Sequence, residues 1–325
     1  MGGILQAPSA RPYILLVAII AIFCIVDFGH GRFINLATMF SVLQLFATLG
    51  PVALGLGITM IAREFDLSIV GIMSLAGCIA VMTGGTYPLL GLALAIAAGG
   101  FAGAIQGTIM VRLDISSVGV TLGGLLTGSG LAYVLTDNTT IGYRRMDVAM
   151  LVNEPIAGIF SIRNIVAISL FIAATLLFTW TRIGRDISAT GSNRRAALIA
   201  GVSVDAVIIG VFALSGMLTA LSGGLLSYSL AAASPVALVD ALVPATAATI
   251  IGGVSLSGGK GTPVGIAGGL LVLCVLRSGL TAIGVPPFVQ DLVTGGVLLS
   301  VALFDAPGLE ERMFAFRRWR NSLYS

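Results

Sequence analysis

The chain has 325 residues, of which 57% are hydrophobic and only 10% are charged, with a formal net charge of +3. A soluble protein carries about 25% charged residues, so this composition excludes a soluble enzyme, a secreted disulfide-linked domain and a nucleic-acid-binding protein. The 43 glycines are typical of helical membrane proteins, in which small residues allow helices to approach closely. The composition therefore predicts an all-α polytopic membrane protein.

Ten apolar runs follow one another along the chain. They cover residues 13–33, 42–62, 67–84, 88–111, 118–136, 162–181, 206–232, 241–254, 263–283 and 287–304. A helix needs about 20 apolar residues to cross the hydrocarbon core, so the sequence predicts about ten transmembrane helices, the eighth too short to cross upright. We interpret Tyr13 to Val26 as a retained first helix, because no small-residue cleavage motif follows it.

The distribution of basic residues predicts the orientation. With both termini in the cytoplasm, only five of the 17 Lys and Arg residues fall on the external side: Arg32, Arg144, Arg145, Arg163 and Arg277. This agrees with the positive-inside rule. The whole chain, 1–325, is expected to form one transmembrane domain with an external loop at 137–161, a cytoplasmic loop at 182–205 and a cytoplasmic tail at 305–325. The tail fits an interfacial anchor and a frayed end equally well.

On the fourth helix, Gly99, Gly103 and Gly107 lie four residues apart and form a stripe of small residues. Gly119 with Gly123, and Gly265 with Gly269, repeat this spacing. Such stripes let the backbones of neighbouring helices approach closely. We predict that all three are packing surfaces rather than ligand sites.

The cytoplasmic loop contains a short predicted helix. Ser192 or Asn193 is a suitable N-cap, residues 196–200 favour a helix, and Gly201 suits the position after its end. Such a helix, with alanine and leucine on one face and two arginines beside it, fits a groove on another protein. A solvated turn that carries positive-inside charges fits the same residues equally well.

A second glycine-rich segment, 252–262, has the composition of a phosphate-binding loop but not its spacing. That motif needs a glycine and a serine or threonine where this chain has Val254 and Gly261. The segment also follows an apolar helix rather than a strand. We interpret it as a cytoplasmic turn formed by Gly258, Gly259, Lys260 and Gly261.

Acidic residues near the predicted helix ends are the candidates for a polar translocation path. The candidates are Asp66 with Ser68, Asp240, and Asp291. Helix capping is the alternative role for Asp66 and Asp291. No row of ionisable residues crosses the middle of the bilayer, which argues against a proton-coupled secondary transporter. With one histidine, no catalytic motif and no metal-ligand spacing, the chain is predicted to be neither an enzyme nor a metal protein.

Several motifs together carry a resemblance. They are Gly184–Val202, Ser255–Gly261, Gly279-Leu280 with Gly284-Val285, Asp66-Leu67-Ser68 and Thr121-Leu122-Gly123. Gly-x-Asn-x-x-Ala-Ala followed by Gly-Val, together with the later Gly-Gly-Lys-Gly turn, is specific in combination. Over nearly its whole length the chain resembles the permease subunits of bacterial ABC importers for ribose and similar sugars, of the branched-chain-type permease family.

The resemblance implies a permease of the bacterial cytoplasmic (inner) membrane that pairs with a second copy or a paralogue. It also implies a cytoplasmic ATPase subunit that binds ATP and Mg²⁺, so that this chain holds no cofactor, and a periplasmic solute-binding protein that docks at the external loop. No nucleic acid is expected as a partner. The residues expected to couple the permease to the ATPase are Gly191, Asn193, Arg194, Arg195, Ala196, Ala197 and Gly201.

Two departures from the family pattern affect the expected substrate. Glu64 replaces the first glycine of the Gly-x-Asp-Leu-Ser pattern, and residues 242–245 replace the acidic Glu-x-Asp-Ala pattern of sugar permeases. We therefore expect a sugar or related small polar solute, moved by alternating access, rather than a pentose in particular. The alternatives are a permease for a nucleoside, a polyol or another solute, and a self-contained secondary transporter or channel.

Overall fold

The computed structural model describes residues 10–236 and 241–304. Asp240 and the tail 305–325 lie outside the described residues. Within those residues the chain forms thirteen helices: α1 (Arg11–Val26), α2 (Leu36–Ile61), α3 (Ile69–Thr83), α4 (Pro88–Leu113), α5 (Ser117–Leu135), α6 (Met146–Asn153), α7 (Ile162–Trp180), α8 (Arg182–Ser192), α9 (Arg194–Ile199), α10 (Val204–Ser229), α11 (Leu242–Ile251), α12 (Pro263–Ala282) and α13 (Pro287–Phe304). Two short strands, β1 (Ile141–Gly142) and β2 (Ala232–Ala233), pair in antiparallel orientation.

Each predicted apolar run coincides with one helix, which confirms the all-α polytopic membrane fold. Among the described residues, six helices are long and apolar enough to cross a bilayer: α2, α4, α5, α7, α10 and α12. The helices α1, α3 and α11 are shorter, with 16, 15 and 10 residues. At 1.5 Å per residue, α11 is about 15 Å long, which is half of the roughly 30 Å hydrocarbon core. The total of ten complete crossings stays a prediction.

Both long loops contain more regular structure than the sequence predicted. The predicted external loop holds α6 and β1, and β1 joins it to β2 after α10. The predicted cytoplasmic loop is almost entirely helical, because α8 precedes the predicted short helix α9. The helix α8 is amphipathic: Gly184, Ile187 and Gly191 are buried on one face while arginines lie on the other. The surface provided by the rest of the bundle therefore stabilises α8.

The centre of the bundle is α10, which packs most extensively against α4, α3 and α2. A Cβ atom placed on Gly99 would lie only 2.4 Å from the carbonyl oxygen of Gly216, and one on Gly103 only 2.1 Å from that of Phe212. The predicted stripe on α4 is therefore a packing surface. The stripe at Gly265 and Gly269 packs in the same way against α11.

The predicted packing at Gly119 and Gly123 is not found against another described helix of this chain. Within the described residues, no atom lies within 4 Å of a Cβ atom placed on either glycine. The close contact of α5 uses Gly128 instead, whose Cβ would lie 2.8 Å from the carbonyl carbon of Gly71 on α3. The spacing of small residues was recognised correctly, but the face of α5 that meets α3 is a different one.

Candidate functional site

The predicted short helix α9 is present and is fixed at both ends. The side chain of Asn193 accepts a hydrogen bond from the backbone N–H of Ala196 at 3.1 Å, which identifies Asn193 as the N-cap. At the other end, the N–H of Gly201 donates to the carbonyl of Leu198 and that of Val202 to the carbonyl of Ala197, both at 3.0 Å. Gly201 has φ of +84°, so this end is a Schellman motif with glycine in the left-handed conformation.

The orientation of α9 determines which of its side chains are available to a partner. Ala197 is buried and belongs to the hydrophobic core. Leu198 and Ile199 are 57% and 89% exposed, and Arg195 and Ala196 are also exposed. The apolar outer surface of α9 is therefore formed by Leu198 and Ile199, whereas Ala197 anchors the helix to its own chain.

The two cytoplasmic motifs predicted from the sequence meet at the end of α2. The backbone N–H of Gly259 donates to the carbonyl of Ile61 at 2.8 Å. A Cβ atom on Gly191 would lie 1.8 Å from the same oxygen, and one on Gly258 would lie 2.4 Å from Cβ of Arg63. Glycine is thus required because three segments, distant in sequence, are in backbone-to-backbone contact.

The turn between α11 and α12 has the conformation that its glycines permit. Gly258, Gly259 and Gly261 have φ of +81°, +74° and +144°, values that side-chain-bearing residues rarely adopt. The backbone N–H of Ser255 donates to the carbonyl of Lys260 at 3.1 Å, while Lys260 itself is exposed. The segment follows the helix α11 rather than a strand, as the sequence predicted.

Glu64, one of the departures from the family pattern, has a partner in the coupling region. Its carboxylate forms an ion pair with the guanidinium of Arg194 at the start of α9. The Glu64 side chain is 8% exposed and the Arg194 side chain 45% exposed. The departure therefore adds a polar link between the end of α2 and α9.

Asp66 is buried in the connection between α2 and α3. Its carboxylate accepts hydrogen bonds from the backbone N–H and the hydroxyl of Ser68, at 3.0 and 2.6 Å, and from the hydroxyl of Ser215 at 2.7 Å. Burial raises the pKa of Asp66, and the hydrogen bonds from Ser68 and Ser215 oppose this shift. Asp66 thus organises the start of α3 and links it to α10, in agreement with the predicted capping role.

The candidates for a translocation path do not come together in one place. Asp66 and Ser68 lie at the coupling end of the bundle, close to the end of α2. Asp291 lies at the opposite end, where it forms an ion pair with Arg277. Since Asp240 is outside the described residues, the path through the permease stays a prediction.

Sequence reasoning missed a buried arginine at the end of the bundle that is predicted to face outward, which we call the external end. Arg163, at the start of α7, is 4% exposed. Its guanidinium donates to Gln44 at 3.0 Å, to Ser229 at 2.8 Å and to Thr48. Ser229 in turn donates to Asn153 of α6 at 2.7 Å. This network, which we call the Arg163 network, joins α2, α6, α7 and α10 through neutral acceptors.

An arginine inside an apolar run was the only sequence signal for this network. A charged group in a transmembrane segment faces the interior of the bundle or an aqueous cavity and usually has a partner. The partners of Arg163 come from two other helices, α2 and α10, so their identity depends on the tertiary structure. Within the part of the chain that the structure describes, none of them is a carboxylate.

Comparison with known proteins identifies the family to which this architecture belongs. The family model described as branched-chain amino acid transport system / permease component matches residues 38–302. The chain therefore belongs to this family of ABC importer permeases, as the sequence motifs predicted. No solved structure matches it significantly.

Similar curated proteins are permeases of sugar and autoinducer import systems. The chain is 29% identical over 300 residues to the ribose import permease protein RbsC of Escherichia coli, covering 89% of this chain and 92% of that protein. It is 31% identical over 261 residues to the L-arabinose ABC transporter permease protein AraH of Azospirillum brasilense (79% and 76%). It is also 30% identical over 304 residues to the autoinducer 2 import system permease protein LsrC of Photorhabdus luminescens (91% and 89%).

Proposed function

We propose that the chain is the transmembrane subunit of an ABC importer that moves a sugar or similar small polar solute into the cytoplasm by alternating access. A separate cytoplasmic subunit hydrolyses ATP, a periplasmic protein delivers the solute, and a second permease subunit completes the pathway. In this arrangement the chain lies in the bacterial inner membrane with both termini in the cytoplasm. The family match and the import functions named for its relatives support this proposal.

The observation that carries the proposal is the construction of α9. The helix has six residues, both of its ends are capped by hydrogen bonds, and its exposed side carries Leu198 and Ile199. It contacts the end of α2 through Arg194 and Glu64 and leads directly into α10. A short, rigid element that is connected to two central helices can transmit a displacement without bending.

The first experiment tests whether the exposed side of α9 contacts the ATPase subunit. We expect Ile199→Asp to reduce co-purification of the ATPase at least about tenfold, because it places a charge in an apolar contact. Ile115→Asp is the matched control, since Ile115 is exposed on the α4–α5 connection at the same end of the bundle. If ATPase binding is unchanged in Ile199→Asp, or falls equally in both variants, the role of α9 is refuted.

A second experiment separates the ABC importer from the alternative of a secondary transporter. Uptake into vesicles that contain the assembled complex should require ATP and should persist when the proton gradient is collapsed. Uptake that follows the gradient and needs no ATP would support the secondary transporter.

The class of solute is tested through the binding protein that delivers it. Residues 242–245 contain Pro244 and no carboxylate, and Pro244 lies buried in the first turn of α11. We expect a thermal shift of the binding protein with a neutral sugar or a related polar compound. Nucleosides and polyols belong in the same screen, because a shift with one of these alone would assign the permease to that alternative.

A further inference from the structure

A cavity of about 600 Å³, lined by both polar and apolar side chains, opens at the end of the bundle opposite α9. Its walls are the beginning of α2 with the preceding connection, the end of α12 and the beginning of α13. Residues that contribute polar side chains include Asn35, Ser41, Arg277, Thr281 and Gln290. The volume is within the range of roughly 300–1,000 Å³ that is typical of small-molecule sites.

The cavity extends into the part of the bundle that the bilayer surrounds. Its deepest lining residue on α2 is Leu45, nine residues after Leu36, where α2 begins. At 1.5 Å per residue this is about 14 Å along α2, and Leu45 lies three residues after the start of the apolar run at residue 42. The cavity therefore extends from the predicted external side past the beginning of the apolar run.

The charges around this cavity indicate that it contains water rather than lipid. The side chain of Asp291 on α13 is 67% exposed and forms an ion pair with Arg277 on α12. Charged groups in transmembrane helices face a water-filled cavity or another protein surface, because exposure to lipid is costly. The outer faces of α4 and α5 differ, since they expose apolar residues such as Phe101 and Val134.

The charge balance of the cavity favours a neutral ligand. Arg277 is paired with Asp291, and Nε of Arg32 lies 3.3 Å from a carboxylate oxygen of Asp27. Each lining arginine is therefore neutralised by a carboxylate. A charged solute would bring an uncompensated charge into this region, which is unfavourable. The other polar groups are amides and hydroxyls, which both donate and accept hydrogen bonds as sugar hydroxyls do.

Hydrogen bonding around the cavity is incomplete within the described residues. Nε of Arg277 is buried and has no hydrogen-bond partner there. The hydroxyl of Ser41, which lines the cavity, donates to the carbonyl of Ala37 in its own helix at 2.9 Å, and its oxygen can still accept hydrogen bonds. Unpaired donors and acceptors of this kind gain hydrogen bonds when a polar ligand binds.

We propose that this cavity binds a neutral, polyhydroxylated solute as it enters the permease, with Ser41, Arg277, Thr281 and Gln290 supplying hydrogen bonds. This inference rests on the proposed function, and it adds the location of the external part of the solute path. It also assigns a role to Asp291, which neutralises Arg277.

The first test measures whether the cavity is open to external water. In the assembled importer with Cys24→Ala, Ser41→Cys is treated in right-side-out vesicles with a charged, membrane-impermeant thiol reagent. Ser169→Cys is the matched control, because Ser169 is exposed on the outside of α7 and also donates only within its own helix, at 2.7 Å to Val166. We expect labelling at position 41 to be at least about tenfold faster, since lipid excludes the reagent at position 169. Equal rates, or no labelling at position 41, would overturn the proposal.

The second test measures the chemistry of the ligand by protection of Ser41→Cys. Neutral pentoses, neutral hexoses and polyols are compared with gluconate and with charged amino acids at the same concentration. We expect at least one neutral compound to slow labelling about threefold or more, because bound solute covers the thiol. Protection by the charged compounds alone, or by none of the panel, would overturn the proposal.

Uptake in the same vesicles distinguishes a failure of this inference from a failure of the proposed function. If ATP drives uptake of a neutral sugar that does not protect Ser41→Cys, the importer function stands and the cavity is not its binding site. If the sugar protects but uptake follows the proton gradient without ATP, the cavity binds solute and the ABC importer function is refuted.

Discussion

The two ends of this bundle are constructed in different ways. At the coupling end, backbones are in direct contact. The carbonyl of Ile61 accepts a hydrogen bond from the N–H of Gly259, and Gly191 packs against the same oxygen. At the external end, side chains provide the contacts, as in the Arg163 network, and a cavity of about 600 Å³ remains between the helices. The two ends thus differ in the kind of contact that joins their segments and not in the presence of space, because a cavity of about 480 Å³ also lies between α8, the end of α9 and the start of α10.

The largest effect that would test this comparison is expected at Gly191. Gly191→Ala places a Cβ atom 1.8 Å from the carbonyl oxygen of Ile61, so backbone segments must move apart. We expect the free energy of unfolding to fall by about 3 kcal/mol or more, measured by reversible denaturant unfolding of the purified permease in detergent.

Gly119→Ala provides the control for this prediction, because no described atom lies within 4 Å of the added Cβ. It should leave stability unchanged or raise it by about 0.5–1 kcal/mol, since alanine favours the helix. Similar losses in both variants would show that the coupling end is not specially constrained.

An intermediate effect is expected from Ser229→Ala in the Arg163 network. The substitution removes an acceptor of Arg163 and a donor to Asn153, and it leaves polar groups unpaired in a largely buried region. We expect a loss of about 1–3 kcal/mol in the free energy of unfolding. Ser169→Ala removes only a local hydrogen bond on an exposed face and should cost less than about 0.5 kcal/mol. A loss no larger than that of Ser169→Ala would mean that the network does not hold the external end together.

The smallest effect is expected for the ion pair between Arg194 and Glu64. Because the Arg194 side chain is 45% exposed, its interaction with Glu64 is screened and should contribute no more than about 1 kcal/mol. A double-mutant cycle with Arg194→Gln and Glu64→Gln measures this coupling energy directly. A coupling energy several times larger would show that side chains, and not only backbone contacts, determine the coupling end.

Much of the coupling end was predictable because its determinants are local in sequence. The N-cap at Asn193, the glycine at Gly201 and the glycine-rich turn are short-range signals that specify backbone conformation. The sequence did not predict α8, because this helix is stabilised by packing its buried face against the rest of the bundle. It also did not predict that Ala197 faces inward while Ile199 is exposed, since periodicity does not identify which side of a six-residue helix meets its own chain.

The external end was much less predictable because its residues are far apart in sequence. Arg163, Gln44 and Ser229 come from three helices, and the cavity combines residues of α2, α12 and α13. Asp291 was recognised as a candidate, but its partner Arg277 was not. The unused stripe at Gly119 and Gly123 shows the same limit, because spacing alone does not tell which face of a helix finds a neighbour.

The amino-acid sequence by itself determined that the chain is a helical membrane protein, where its ten apolar helices lie and which family it belongs to. These properties follow from apolar run length, capping residues and glycine motifs, all of which act over a few neighbouring residues. The tertiary structure decided which glycines pack, that the segments around Gly191 and Gly259 meet at Ile61, and that a cavity lies between α2, α12 and α13. The physical reason is that burial and hydrogen-bond partners depend on the faces that helices present to one another.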